Sequence, residues 1–258
     1  LLDYTHAGPE LEFGHLATLG RLADAEGDFA GAIELYQKAL ALAERTPGAD
    51  LMQVGLIHEE LGVSQGRLDH LDEAEREQER AIELFERQLG TEHPTLGTAY
   101  LNLGNTRYMR GRPAEAKLAF ERSLAIYRAS LGPEHPFCGS ALTGLGAVQL
   151  GEGDDQGALE SFSAALELAE SRLGPDHLDV VPPLNNLGIV QARLGDLEAA
   201  ERSARRALDL VERANGSEHP DLVAPLDTLA GLLARKGDAA AAKLVYARSL
   251  KIGETSLG

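Results

Sequence analysis

The chain has 258 residues, 43% of them hydrophobic, with 28 glycines, no tryptophan, 24 Lys and Arg against 41 Asp and Glu, and a net charge of −17. An acidic surface of this size opposes nonspecific binding to nucleic acid or to an anionic membrane, both of which depend on cationic side chains releasing counterions. No apolar run approaches the ~18 residues that would suggest a membrane span, and the single cysteine, Cys138, cannot form an internal disulfide and is read as a small buried hydrophobe of a reducing, cytoplasmic compartment.

Four residue columns repeat in phase every 42 positions. Leu19-Gly20, Leu61-Gly62, Leu103-Gly104, Leu145-Gly146, Leu187-Gly188 and Leu229-Ala230 form one; Ala32, Ala74, Ala116, Ala158, Ala200 and Ala242 form another. Leu89-Gly90, Leu131-Gly132, Leu173-Gly174, Asn215-Gly216 and Leu257-Gly258 mark the repeat ends, and His93, His135, His177 and His219 follow three residues later. A fixed period of this length is the mark of a stacked repeat architecture. After a lead-in of residues 1–6, the units run 7–48, 49–90, 91–132, 133–174, 175–216 and 217–258, read as one solenoid domain.

The first unit carries the Leu-Gly and Ala columns. The second is the most divergent, with Asp69 where other units have Gly and Gln78 where Phe120 and Phe162 stand. The third shows the unit most clearly. Pro94 suits the first turn of a helix A, Gly111-Arg112-Pro113 breaks it, and Ala116, Phe120, Leu124 and Tyr127 give the apolar stripe of a helix B. Leu131-Gly132 supplies a left-handed closing glycine. In the fourth unit helix A carries the small residues Ser140, Gly144, Ala147 and Gly151, which leave room for a ligand side chain. The fifth places Pro182-Pro183 inside the expected first turns of helix A, predicting a late start or a kink beside Asn186, and Pro225 raises the same expectation in the sixth.

The succession Leu187-Gly188, Gly195-Asp196, Ala200, Ala207-Leu208 resembles the tetratricopeptide repeat, and the 42-residue period with its LGTEHP, LGPEHP and LNNLG segments is similar to the kinesin-light-chain-like class. The resemblance covers nearly the whole chain. It implies an all-α, right-handed α-solenoid of six helix-turn-helix units, with helix A lining a concave groove and helix B outside. It also implies a non-catalytic cytoplasmic scaffold that binds a protein or peptide. Bacterial proteins of this kind are often one part of a larger regulatory protein, and the chain ends are read as those of such a fragment.

On the groove face helix A presents Thr98, Asn102, Asn105 and Met109 in the third unit, and Pro182, Asn186, Ile189 and Arg193 in the fifth. Asparagine costs a helix roughly half a kcal/mol against alanine, so Asn102, Asn105, Asn185 and Asn186 need a reason. Either their carboxamides clamp an extended ligand backbone or they tie helix A to the neighbouring repeat; both readings stand for Asn102 and Asn186, and the tie is preferred for Asn185. Arg67, Arg193 and Arg235 share one register and give the groove an edge suited to acidic segments, which Glu59, Glu60 and Asp227 partly offset. The positions matching the chaperone-carboxylate clamp of related repeats, Ala17, Arg21, Glu60, Thr98 and Asn102 in repeats 1 to 3 and Glu59, Val63, Asn102, Ser140 and Gly144 in repeats 2 to 4, do not make that clamp.

The four in-register histidines are too far apart to share a metal and are read as polar caps at the start of helix A. Carboxylate pairs such as Glu73 with Glu77 are solvated helix faces, and no nucleophile elbow, phosphate loop or HExxH motif occurs. Neither an enzyme nor a cofactor is expected. The alternative to a groove ligand is a spacer of a larger signalling protein that associates end to end, or as a homodimer, through uncapped terminal repeats. Leu244, Val245 and Leu250 are the residues such contact would cover.

Overall fold

The computed structural model describes residues 9–257, so the lead-in of residues 1–6 lies outside it. Among the described residues twelve α helices form six hairpins, and these group into two compact units divided in the chain between Gly132 and Pro133, the boundary between the third and fourth repeats. The first unit contains α1 (Pro9–Ala25), α2 (Phe29–Ala43), α3 (Leu51–Arg67), α4 (Leu71–Leu89), α5 (Pro94–Met109) and α6 (Pro113–Leu131). The second contains α7 (Pro136–Glu152), α8 (Asp155–Leu173), α9 (Val181–Arg193), α10 (Leu197–Asn215), α11 (Val223–Arg235) and α12 (Ala239–Leu257). Odd-numbered helices are the A helices. Within each unit every A helix packs on its own B helix, and each B helix that a further hairpin follows packs on the next A helix.

The two small-residue columns set the distance between helices A and B. A Cβ built on Gly104 would lie 2.6 Å from the ring of Phe120, on Gly146 2.6 Å from Phe162, and on Gly20 2.5 Å from Tyr36. Each glycine is therefore a notch that admits an aromatic ring from the partner helix. Ala32, Ala74, Ala116, Ala158 and Ala200 are wholly buried on the facing side of the B helices. The sixth repeat breaks the pairing in an informative way. Ala230 stands where the notch should be, and the corresponding ring, Tyr246, is exposed.

The turns explain the remaining columns. In each A-to-B turn the residue after the positive-φ position donates its N–H five residues back, as in Asp28 to Ala23 (2.9 Å), Arg112 to Arg107 (2.9 Å) and Asp196 to Gln191 (2.9 Å), closing the helix in the Schellman manner. Gly27, Gly111, Gly153, Gly195 and Gly237 hold that position, and Asp69 takes it in the second repeat with φ 62°. Asp28, Asp154, Asp196 and Asp238 then cap the following B helix with a side-chain oxygen.

In the B-to-A turns the expected left-handed glycine is a different conformation. Gly90, Gly132, Gly174 and Gly216 do have positive φ, but their ψ values of 179°, 154°, 158° and 170° are extended, because the chain leaves helix B directly toward the next cap. That region is open only to glycine. His93, His135, His177 and His219 are those caps: each Nδ1 accepts the backbone N–H two residues on, at 3.1–3.3 Å.

The proline pair has the predicted effect. Residues Leu178–Val180 form a 3₁₀ turn and α9 begins only at Val181, which puts Pro182 and Pro183 at the second and third helical positions, where a missing N–H leaves no bond unmade. Pro220–Leu222 repeats the arrangement before α11, with Pro225 third in that helix.

Two substitutions test this account. Ala116→Leu overfills a closed seam and is expected to cost ~1–3 kcal/mol in chemical denaturation. Asp69→Gly relieves a left-handed non-glycine residue and should raise stability by about 0.5–1 kcal/mol.

Candidate partner-binding site

In the first unit the expected ligand-facing residues are Asn102, Asn105 and Met109 on α5 and Arg67 at the end of α3. Asn105, Met109 and Arg67 are exposed, and Arg67 has no ion-pair partner among the described residues. Asn102 is engaged. Its Nδ2 donates to Glu59 Oε1 at 3.2 Å, tying α5 to α3. Glu59 is buried, and burial is the main reason its pKa rises from 4.5 to about 7, with Glu60 adding repulsion and the Asn102 bond opposing both. Glu60 itself pairs with Arg21 at 3.0 Å.

A charged cluster in the same unit has no counterpart in the sequence reading. The buried Glu75 of α4 meets Arg107 (2.9 Å), Arg110 and Arg112 (3.4 Å), while Arg107 also reaches Glu79 (2.8 Å) and Arg110 reaches Asp72. Three arginines on one carboxylate satisfy it in full, so the cluster joins the second repeat to the third. The density of arginine between Arg107 and Arg112 was the available signal.

In the second unit Arg193 is committed to its own fold: its guanidinium holds Asp155 at 2.8 Å and the Leu150 carbonyl at 2.8 Å, bridging the fourth and fifth repeats. Arg235 is exposed, with no ion-pair partner among the described residues. Asn185 accepts from Thr228 Oγ1 at 2.8 Å and ties α9 to α11. Asn186 makes no hydrogen bond among the described residues and Ile189 is partly exposed.

Asn186 lines a cleft of about 580 Å³ between the starts of α9 and α11, with Asn185, Pro182, Val223, Ala224 and Pro225 among its walls. The late starts create it: each 3₁₀ turn replaces the first turn of an A helix, and two adjacent replacements leave a hollow with a largely apolar rim, two carboxamides and the Asp221 carboxylate. The small stripe of Ser140, Gly144, Ala147 and Gly151 lies on α7, one repeat before α9.

Among the described residues, no three His, Cys, Asp or Glu side chains are grouped to hold a metal ion, and no helix is long and apolar enough to cross a membrane.

The tetratricopeptide repeat model matches residues 15–86, 53–129, 119–171, 137–212 and 182–255. The chain belongs to the tetratricopeptide repeat family. Its helix-hairpin repeat is that family's α-solenoid architecture, whose members generally mediate protein–protein interaction and are generally non-catalytic. No curated protein matches the chain by sequence. Among solved structures it is similar to BtubC (BKLC) from P. vanneervenii, with 23% identity, TM-score 0.70, and 81% of this chain and 83% of that one covered. A putative kinesin light chain from Podosopora anserina, with nearly identical tetratricopeptide-like repeats, aligns at 19% identity and TM-score 0.64 over 80% of this chain and 98% of its own. The APC/C hetero-tetramer Cut9-Hcn1 aligns at 18% identity and TM-score 0.72, covering 93% of this chain and 40% of that one.

The Glu59–Asn102 pair makes stability depend on pH. The folded state holds the Glu59 proton more tightly than the unfolded chain does, so ionising it lowers stability as pH rises from near 4.5 through about 7. Glu59→Gln should therefore match the parent at pH 4 and exceed it at pH 8 by on the order of 1–3 kcal/mol in denaturant titrations.

Proposed function

We propose that this tetratricopeptide repeat chain is a non-catalytic interaction module that holds an extended segment of a partner protein against its A helices, seated chiefly in the cleft between α9 and α11. The observation that supports this reading is the unengaged Asn186 carboxamide on an apolar-rimmed hollow. A carboxamide can donate to and accept from one peptide unit at once, and the rings of Pro182 and Pro225 offer rigid apolar walls that lose no entropy on binding. Within the second unit, Ile189 and Arg235 extend the proposed surface as exposed side chains. Arg193 is bound to Asp155, and a ligand would compete for it. Arg235 is thus the cation of this unit ready for an acidic segment. The setting proposed is cytoplasmic, which a single cysteine suits.

The test begins with affinity capture by the intact chain, followed by titration of a peptide from the captured partner. Asn186→Ala should weaken that peptide about 5- to 10-fold, the loss of roughly one hydrogen bond, with an unchanged melting temperature. Ala224→Trp, at an exposed wall of the cleft, should abolish binding. Unaltered affinity in both folded variants would remove the cleft from the site.

A further inference from the structure

We propose that the cleft between α9 and α11 anchors its partner segment by a basic side chain, a lysine or arginine whose charged end meets Asp221; this rests on the reading that the cleft seats the segment. Among the described residues Asp221 is the one charged group in the cleft wall, which is otherwise apolar apart from the carboxamides of Asn185 and Asn186.

The Asp221 carboxylate has no cation of its own. The ring nitrogen beside it, His219 Nδ1 at 3.5 Å, already accepts the Asp221 backbone N–H at 3.3 Å, so it holds no proton to share. The cations of the neighbouring elements are committed elsewhere. Arg213 pairs with Asp209 (2.6 Å) and Asp176 (3.3 Å), Arg248 with Glu212 (2.6 Å), and Lys251 with Glu218 (2.9 Å).

Two helix starts beside one hollow would ordinarily attract an anion. Here the sequence removes the means. Pro182, Pro183 and Pro225 bring no N–H, and the 3₁₀ turns consume others: Val181 donates to the Leu178 carbonyl, Leu222 to that of His219 and Val223 to that of Pro220. What stays at each helix start is about half a positive charge, less than the full charge of Asp221.

A lysine or arginine fits both parts of this surface. Its methylenes lie along the partly buried Leu178, Val181 and Val223, and its head pairs with Asp221 and the Asn186 carboxamide oxygen. Asp221 is itself exposed, so the pair sets which residue enters more than how tightly the segment binds. An acidic stretch of the same segment meets Arg235 at the far end of α11, roughly 18 Å from Val223.

The experiment is capture, by the intact chain, of blocked peptide libraries randomised around a fixed central lysine, arginine, norleucine or glutamate. The lysine and arginine libraries should be retained about 3- to 10-fold better than the norleucine one, and glutamate least. Asp221→Asn should erase that preference, and Asp221→Lys should turn it toward glutamate. Asp179→Asn removes the same charge from the equivalent turn one repeat earlier, outside the cleft wall; it should leave the preference intact, which separates local pairing from the general acidity of the chain. Equal retention of all libraries that Ala224→Trp abolishes would keep the cleft as the seat and overturn the basic anchor. A basic preference that survives Asp221→Asn, or falls equally with Asp179→Asn, overturns it too. Retention that Ala224→Trp leaves untouched, or no retention of any library, overturns the anchor and the cleft reading together.

Discussion

The structure depends on how closely the two helices of a hairpin can approach. A glycine on helix A and an alanine on helix B remove the side chains that would hold them apart, and an aromatic ring fills the notch so created. Interiors packed at this density respond to a single added methylene. Where the ring is present, in the first, third and fourth repeats, the spacing of the A and B helices is fixed by this contact.

The variation falls into a pattern. Where the notch lacks its ring, as with Gly188 opposite Ala204, Thr228 of the next A helix comes to 3.1 Å from the Cβ position, and the same Thr228 is held by Asn185. The fifth and sixth repeats thus exchange an intra-hairpin contact for a contact between A helices. Their prolines displace the helix starts one to two turns before these contacts, and the cleft lies there.

Everything that recurs once per period was legible in the sequence: six hairpins, histidine caps, glycine turns and the buried alanine column. The delayed start of α9 was legible too, because Pro182 and Pro183 can occupy only positions that need no N–H. The tie at Asn185 was expected, but the partners in the ties between repeats were not legible. Asn102 meets Glu59 and Thr228 meets Asn185 at separations of 43, and Glu75 gathers arginines 32, 35 and 37 residues away. The first two pairs share one register, three periods apart, but with different residue types, and the Glu75 cluster occurs in one seam, so no column of identical residues reveals them. The carboxamides at Asn102 and Asn186 illustrate the limit, since two asparagines in one register have different surroundings: a buried carboxylate for the first and an open cleft for the second.

Within a unit, helix B of one repeat stands opposite the next A helix at residues 35 apart, as Glu201 does to Lys236 at 2.8 Å and Glu75 to Arg110, and this seam pairing restricts how such a chain can change length. Excising residues 175–216 would keep the period and every turn, yet it would set Leu159 against Lys236 in place of Leu194. Removing residues 49–90 would likewise confront Ile33 with Arg110. The hairpins are alike in backbone but ordered by these matched positions, so the array behaves as a sentence and not as a string of interchangeable beads, and loss of either of these inner repeats sets a charge against an apolar side chain.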